Sequence, residues 1–210
     1  MDTDIIMRVL NNIYTLLHNR GHNIEFINKR LPKKYIIDKI EKFRLDKSAL
    51  DIFIEGTEKK VFVKFLSDIK AKSIAEKIKK LANITEIIHD AYRMNNSKDE
   101  VIIVILDEFD KELYDIEYDY PNLTIFEYKK LLINIVENVY VPKHTRLTHV
   151  EKKQLKNKLM IQNYEDLPLI SKLDAVCRYY NYKEGDVIRV ERPSAGTKTH
   201  TAYRYVVRIY

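Results

Sequence analysis

VPKHTRLTHVEKKQLKNKLMIQNYEDLPLISKLDAVCRYYNYKEGDVIRVERPSAGTKTHTAYRYVVRIY, residues 141–210, carries enough local signals to outline a fold. Thr148 followed by Glu151 predicts a capping box, in which the hydroxyl takes an orphan N–H and the carboxylate reaches back to the cap residue. Ser171 followed by Asp174 repeats the spacing and predicts a second helix over 173–180. Asn181 to Gly185 then break that helix, with Gly185 free to take a positive φ. Two strands are expected next: Val187 to Val190, and an alternating run in which Tyr203, Tyr205, Val207 and Ile209 interleave with Arg204, Val206 and Arg208. RPSAGTKTHTA between them reads as a loop. The hairpin is expected to bury one face and expose a charged one carrying Arg189, Glu191, Arg204 and Arg208. With nothing after Tyr210 to cover it, the last strand is expected at a sheet edge, open to another chain.

These same residues resemble a known family. VPKHTRLT (141–148), Leu167–Pro168, DAVCRYYNYKEGDVIRVERPS (174–194) and YRYVV (203–207) look like the carboxy-terminal assembly domain of the fifth subunit shared by eukaryotic RNA polymerases I, II and III. The archaeal counterpart in this family consists of that domain alone. The pieces occur in the family's order and span nearly all of residues 139–210. LLINIVENVYVPKH (131–144) is similar to the family's crossing from its jaw domain to its assembly domain. The resemblance implies a jaw domain over residues 1–140 and an assembly domain over 141–210.

Outward from this stretch, the amino-terminal part reads as mixed α/β. Ile5, Ile6, Val9, Leu10, Ile13, Leu16 and Leu17 recur at helical spacing, and Tyr35 to Phe43 forms a second amphipathic stretch after Pro32. Leu50 to Ile54 and Val61 to Leu66 are expected as a hairpin around EGTEKK. Ala71 to His89 has helical periodicity again. VIIVIL (101–106) predicts a strand buried on both faces. Glu108 to Asp119 is acidic and expected at the surface, and Leu123 to Phe126 predicts a further strand. By the order of its elements this part is similar to the family's jaw, whose fold is related to restriction endonucleases. The whole is therefore expected as α/β (α+β): a restriction-endonuclease-like jaw plus a small α+β domain ending in a β-hairpin. Between about residues 24 and 100 the chain is shorter than the eukaryotic subunit.

Composition narrows the function classes. Hydrophobic residues make up 45% and charged residues 32%, as in a folded domain that is not embedded in lipid. The longest aliphatic run is six residues, against roughly 20 for a membrane span. The opening Met-Asp-Thr-Asp has no basic stretch of a secretion signal. A single cysteine, Cys177, excludes an internal disulfide and fits a reducing compartment. Residues 141–210 hold 14 Lys/Arg against 7 Asp/Glu, whereas residues 1–140 hold 23 against 24. All of the net positive charge lies in the carboxy-terminal domain, which suits an acidic protein face or nucleic acid. Ile, Lys, Tyr and Asn together number 82 of 210, a bias expected of an A/T-rich genome such as a large DNA virus or a protist.

A nuclease-like fold calls for a test of nuclease chemistry. Such a site needs one carboxylate on a strand and an acid-x-Lys on the next, so that two carboxylates hold a metal beside a lysine. Asp51 and Lys64 fit two of these positions, but Phe62 occupies the third, and Lys64 then reads as a solvent-facing strand residue. His18 and His22 are four apart, yet Gly21 interrupts the helix and no acid partner is expected nearby. Cys177 reads as a small core residue. Four glycines in the whole chain leave no phosphate-binding loop. No catalytic residue, metal or cofactor is expected.

The resemblance implies a non-catalytic subunit of a multisubunit DNA-dependent RNA polymerase. Its assembly domain would dock on the largest subunit, and its jaw would lie near downstream duplex DNA. Docking is expected at Pro142, His144, Arg178, Tyr180, Gly185, Arg192, Pro193, Tyr203 and Arg204, with Gly185 and Pro193 equally readable as turn-forming. The alternative is a stand-alone DNA-binding protein or a degenerate metal-dependent nuclease. No membrane partner is expected. The location is the nucleus for a cellular protein, or host cytoplasm and virion for a viral one.

Overall fold

The computed structural model describes residues 3–22, 24, 33–55, 60–66, 99–106, 117, 122–194 and 198–208. The chain divides into two compact units, Met1–Ile133 and Asn134–Tyr210, so the stretch 134–140 belongs with the second. Both are mixed α+β. Among the described residues no helix is long and apolar enough to cross a membrane.

In the first unit, α1 (Thr3–Asn19) buries Ile6, Val9, Leu10, Ile13, Leu16 and Leu17, the apolar stripe read from its spacing. Helix α2 spans Lys33–Leu45 and leads into a 3-10 turn, Lys47–Leu50, capped by Asp46. Leu50 thus ends a turn rather than opening a strand, because the Asp46 carboxylate accepts the Ser48 N–H and holds the chain in that turn. The sheet runs β1 (Ile52–Glu55), β2 (Lys60–Leu66), β3 (Glu100–Ile105), β4 (Leu123–Glu127). β1 is antiparallel to β2, while β2, β3 and β4 are parallel. All six residues of β3 are buried, as its unbroken apolar run requires for a central parallel strand. The helix expected over 71–89 lies outside the described residues. Of the acidic stretch 108–119 only Glu117 is described. It is buried rather than at the surface, because its Oε1 accepts the Ile125 N–H at 2.6 Å and so satisfies the backbone of β4.

The second unit is a sheet of order β5 (Lys143–Arg146), β7 (Val187–Ser194), β8 (Lys198–Val207), β6 (Leu169–Ser171). Helix α3 (His149–Leu159) starts with the expected capping box: Glu151 N–H donates to Thr148 Oγ1 at 3.3 Å and Thr148 N–H to Glu151 Oε2 at 2.8 Å. The second expected box does not form. Ser171 closes β6, and Asp174 itself caps the short α4 (Ala175–Tyr179), accepting from Val176 and Cys177.

The register corrects three further expectations. The segment read as a loop is mostly ladder, paired out to Ser194 opposite Lys198, because the hairpin continues through Pro193 and Thr199. The last strand is not an edge: β8 lies between β7 and β6, and the edges are β5 and β6. Nor does the sheet have a bare charged face. Successive side chains alternate across a strand, and both sides of this sheet carry a cluster. Ile188, Val190 and Val206 pack with Cys177 and Tyr182 on one side; Val187, Tyr203 and Tyr205 pack with Leu147, Leu155 and Leu167 on the other.

Candidate functional site

Pro142 and His144 stand at the start of edge strand β5. The Pro142 carbonyl lies 2.7 Å from His144 Nδ1, so that nitrogen donates to it. Tyr182 hydroxyl donates to the His144 carbonyl at 3.2 Å, tying the edge to the α4 side. Because Lys143 pairs with Glu191, this stretch runs beside Val190 to Arg192. Arg192 and Pro193 are exposed on the outer half of β7, opposite His200 and Thr199.

Beneath the sheet, Arg178 is only 6% exposed, set into the fold on α4. Tyr180 is half-buried and stacks on Tyr182, with ring centroids 5.3 Å apart and an interplanar angle of 18°. Tyr179 meets it edge-on and is the more buried of the two. Burial raises the Tyr180 hydroxyl above its ordinary pKa.

Gly185 adopts φ +86°; its N–H donates to Val206 O and its carbonyl accepts from Lys152 Nζ, both at 3.0 Å. The next residue, Asp186, accepts the Lys183 N–H at 2.8 Å and lies 3.6 Å from Arg146 and 3.8 Å from Lys152. This one turn therefore ties β5, α3 and β8 together. Tyr203 packs in the α3-side cluster, and Arg204 donates to Leu169 O at 3.0 Å across to β6.

By register His144, Arg192 and Arg204 share one side of the sheet, whereas Pro193 and Tyr203 share the other. The nine positions thus form several local groups rather than one continuous patch. Sequence reasoning missed Leu169 and Asp186, whose roles depend on pairings across 34 to 40 residues. It also missed the exposed pair Val139 and Tyr140, which an apolar doublet before a proline could have signalled.

The first unit brings together two groups that the sequence separates. Asp51 Oδ2 accepts from Lys64 Nζ at 2.6 Å, and Oδ1 accepts the Phe65 N–H at 3.1 Å. Lys64 is not solvent-facing: its side chain is 26% exposed and its ammonium is held by Asp51. Burial pushes the Asp51 carboxyl above the usual range, against the opposing pull of Lys64 and the Phe65 N–H. The 62 position supplies only a buried phenyl ring, so the pair lacks the second carboxylate that would orient a metal. Among the described residues no three His, Cys, Asp or Glu side chains are grouped to hold one. His22 does have an acid partner. Its Nε2 is 3.1 Å from Glu100 Oε2, and Arg20 bonds the other carboxylate oxygen. The acid comes from β3, far along the chain.

With this geometry in place, one comparison decides what the second unit is. Residues 133–206 match the family model described as RNA polymerase Rpb5, C-terminal domain. The chain contains an Rpb5 carboxy-terminal domain. Curated relatives agree over the same portion. DNA-directed RNA polymerase V subunit 5A of Arabidopsis thaliana is 39% identical over 82 residues, which is 39% of this chain and 36% of the relative. The Dictyostelium discoideum protein named DNA-directed RNA polymerases I, II, and III subunit rpabc1 is 37% identical over 82 residues, 39% of this chain and 41% of its own length. Subunit RPABC1 of Caenorhabditis elegans is 35% identical over 78 residues, 37% of this chain and 36% of the relative. The matched segment spans little more than a third of the length of these relatives. The Rpb5 domain therefore accounts for β5 to β8, with α3 and α4, and the four-stranded sheet of the first unit lies outside the match.

Proposed function

We propose that this chain is a non-catalytic subunit of a multisubunit DNA-directed RNA polymerase. The observation that carries the reading is the Rpb5 carboxy-terminal domain over residues 133–206, found also in relatives named as polymerase subunits. The domain, 141–210 by sequence, acts as the assembly module and docks on the largest subunit. Residues 1–140 act as a jaw near downstream duplex DNA. Of the nine docking positions, Pro142, His144, Arg192, Pro193 and Arg204 are the ones the geometry favours as direct contacts. Buried Arg178 and the turn glycine Gly185 act by shaping the domain, and Tyr180 and Tyr203 act through their clusters. Bond-making belongs to the partner subunits; this chain carries no catalytic residue, metal or cofactor of its own. Its place is the nucleus in a cell, or host cytoplasm and virion if it serves a viral enzyme.

The test is affinity purification through the tagged full-length chain, with the associated proteins identified by mass spectrometry. Recovery of the two large polymerase subunits is the expected result, and their absence refutes the proposal. The Asp51–Lys64 pair motivates a second reading, a metal-dependent nuclease, against which the phenyl ring at position 62 weighs. That reading predicts magnesium-dependent DNA cleavage by the isolated chain, abolished in Asp51→Ala.

A further inference from the structure

Two large apolar side chains in the second unit stand almost wholly in water: Val139 is 94% exposed and its neighbour Tyr140 93%. They are the central residues of a pinned turn. Val141 N–H donates to Asn138 O at 2.9 Å, closing a β-turn, and Tyr140 N–H donates to Asn138 Oδ1 at 3.0 Å, closing an Asx-turn inside it. Upstream, Asn138 N–H donates to Ile135 O at 3.3 Å, and Asn134 Oδ1 caps that 3-10 turn. Downstream, Pro142 holds its φ and its carbonyl meets His144. An apolar pair held out by backbone and side-chain bonds loses little freedom when it binds, which favours a role as an anchor.

We infer that the 138–141 turn is an apolar anchor that seats Val139 and Tyr140 in a hydrophobic pocket, rimmed by acidic groups, on a protein partner. This rests on the polymerase reading and adds to it a contact outside the nine positions already named. A second copy of the chain does not fit. An aromatic ring and a valine cover at most a few hundred Å², well under the roughly 800 Å² per partner of a standard interface. Two copies would also bring like charge together, because residues 134–210 hold 14 Lys/Arg against 8 Asp/Glu. The same excess argues for acids at the pocket rim. Lys143, with its side chain 75% exposed, follows the turn at the start of β5. Its partner within the chain, Glu191, is 3.9 Å away, long enough to leave the cation available to a second acid.

The test uses the tagged full-length chain carrying Tyr140→Cys, purified from its source cells and treated with a maleimide. Cys177 is buried, so position 140 supplies the reactive thiol. Large polymerase subunits should co-purify, and the thiol introduced at position 140 should react at least about 10-fold more slowly in that assembly than in the free chain. Val139→Ser with Tyr140→Ser should weaken the association about 10- to 100-fold, as loss of an interface anchor does. Its unfolding temperature should stay unchanged, since neither side chain packs on the fold. If the large subunits co-purify while the introduced thiol reacts at the free rate, the anchor is refuted and the polymerase reading stands. If the parent chain, with Tyr140 in place, recovers no polymerase subunit, both fall; recovery by the parent but not by Tyr140→Cys supports the anchor.

Discussion

Gly185 offers a test of whether a residue shared with the family acts through the fold or through a contact. A Cβ built there would find only the Tyr205 hydroxyl, at 3.9 Å, which is ordinary van der Waals contact. Any cost of Gly185→Ala therefore comes from the backbone at φ +86° and not from a clash. Placing an L-residue in the left-handed region costs about 1–2 kcal/mol, and the stiffer unfolded chain returns about 0.4–1 kcal/mol of this. The net expectation is about 1 kcal/mol, or about 4–8 °C in the transition of a domain of roughly 80 residues. Gly185→Asn should cost roughly half as much, since Asn tolerates this region. Thermal unfolding of the full chain, followed by circular dichroism and by proteolysis of the carboxy-terminal unit, reads both variants. The reasoning fails if Ala matches the parent within about 0.3 kcal/mol, or if Asn proves worse than Ala. Unchanged stability together with lost incorporation into the polymerase would make Gly185 a contact residue instead.

Thr148→Ala removes the reciprocal cap of α3 and should destabilise the carboxy-terminal unit by about 1 kcal/mol in urea unfolding. The same box holds the Glu151 carboxyl below its ordinary pKa, chiefly through the Thr148 N–H and then its hydroxyl. A depressed folded pKa makes this contribution full above the unfolded value of about 4.3 and lost as pH falls through the folded one. The gap between parent and Thr148→Ala should accordingly close on acidification; a gap that widens would contradict the assignment. The Cys177 thiol, pushed up to about 12 by burial and then by Asp174 and Asp186, should stay silent to a thiol reagent at neutral pH until the domain unfolds. Stoichiometric labelling of the native chain would show that α4 opens.

The residues whose partners lie within a few positions were legible from sequence. The Thr148–Glu151 box, the positive φ of Gly185, the buried run of β3 and the apolar stripe of α1 all formed as read. Short-range hydrogen bonds and periodic burial depend on little beyond the local chain. Ser171 misled because its spacing to Asp174 copies a capping box, yet pairing with β8 draws it into a strand and leaves Asp174 to cap alone.

Tertiary structure decided what the local chain could not. A three-residue strand, β6, arrives from more than thirty residues upstream and converts the last strand from an edge into an interior one. Packing of α3 covers the sheet face that alternation alone would leave to solvent. Glu100 reaches Arg20 and His22, and Asp51 reaches Lys64, across 80, 78 and 13 residues. Such pairings are chosen by how strands and helices close on one another, because burying a charge is tolerable only where the fold delivers its counter-charge. The sequence by itself indicated the two helices, the last hairpin and the family resemblance of the second unit; the four-stranded sheet determined which of its residues are buried, which are tied to one another, and which remain exposed.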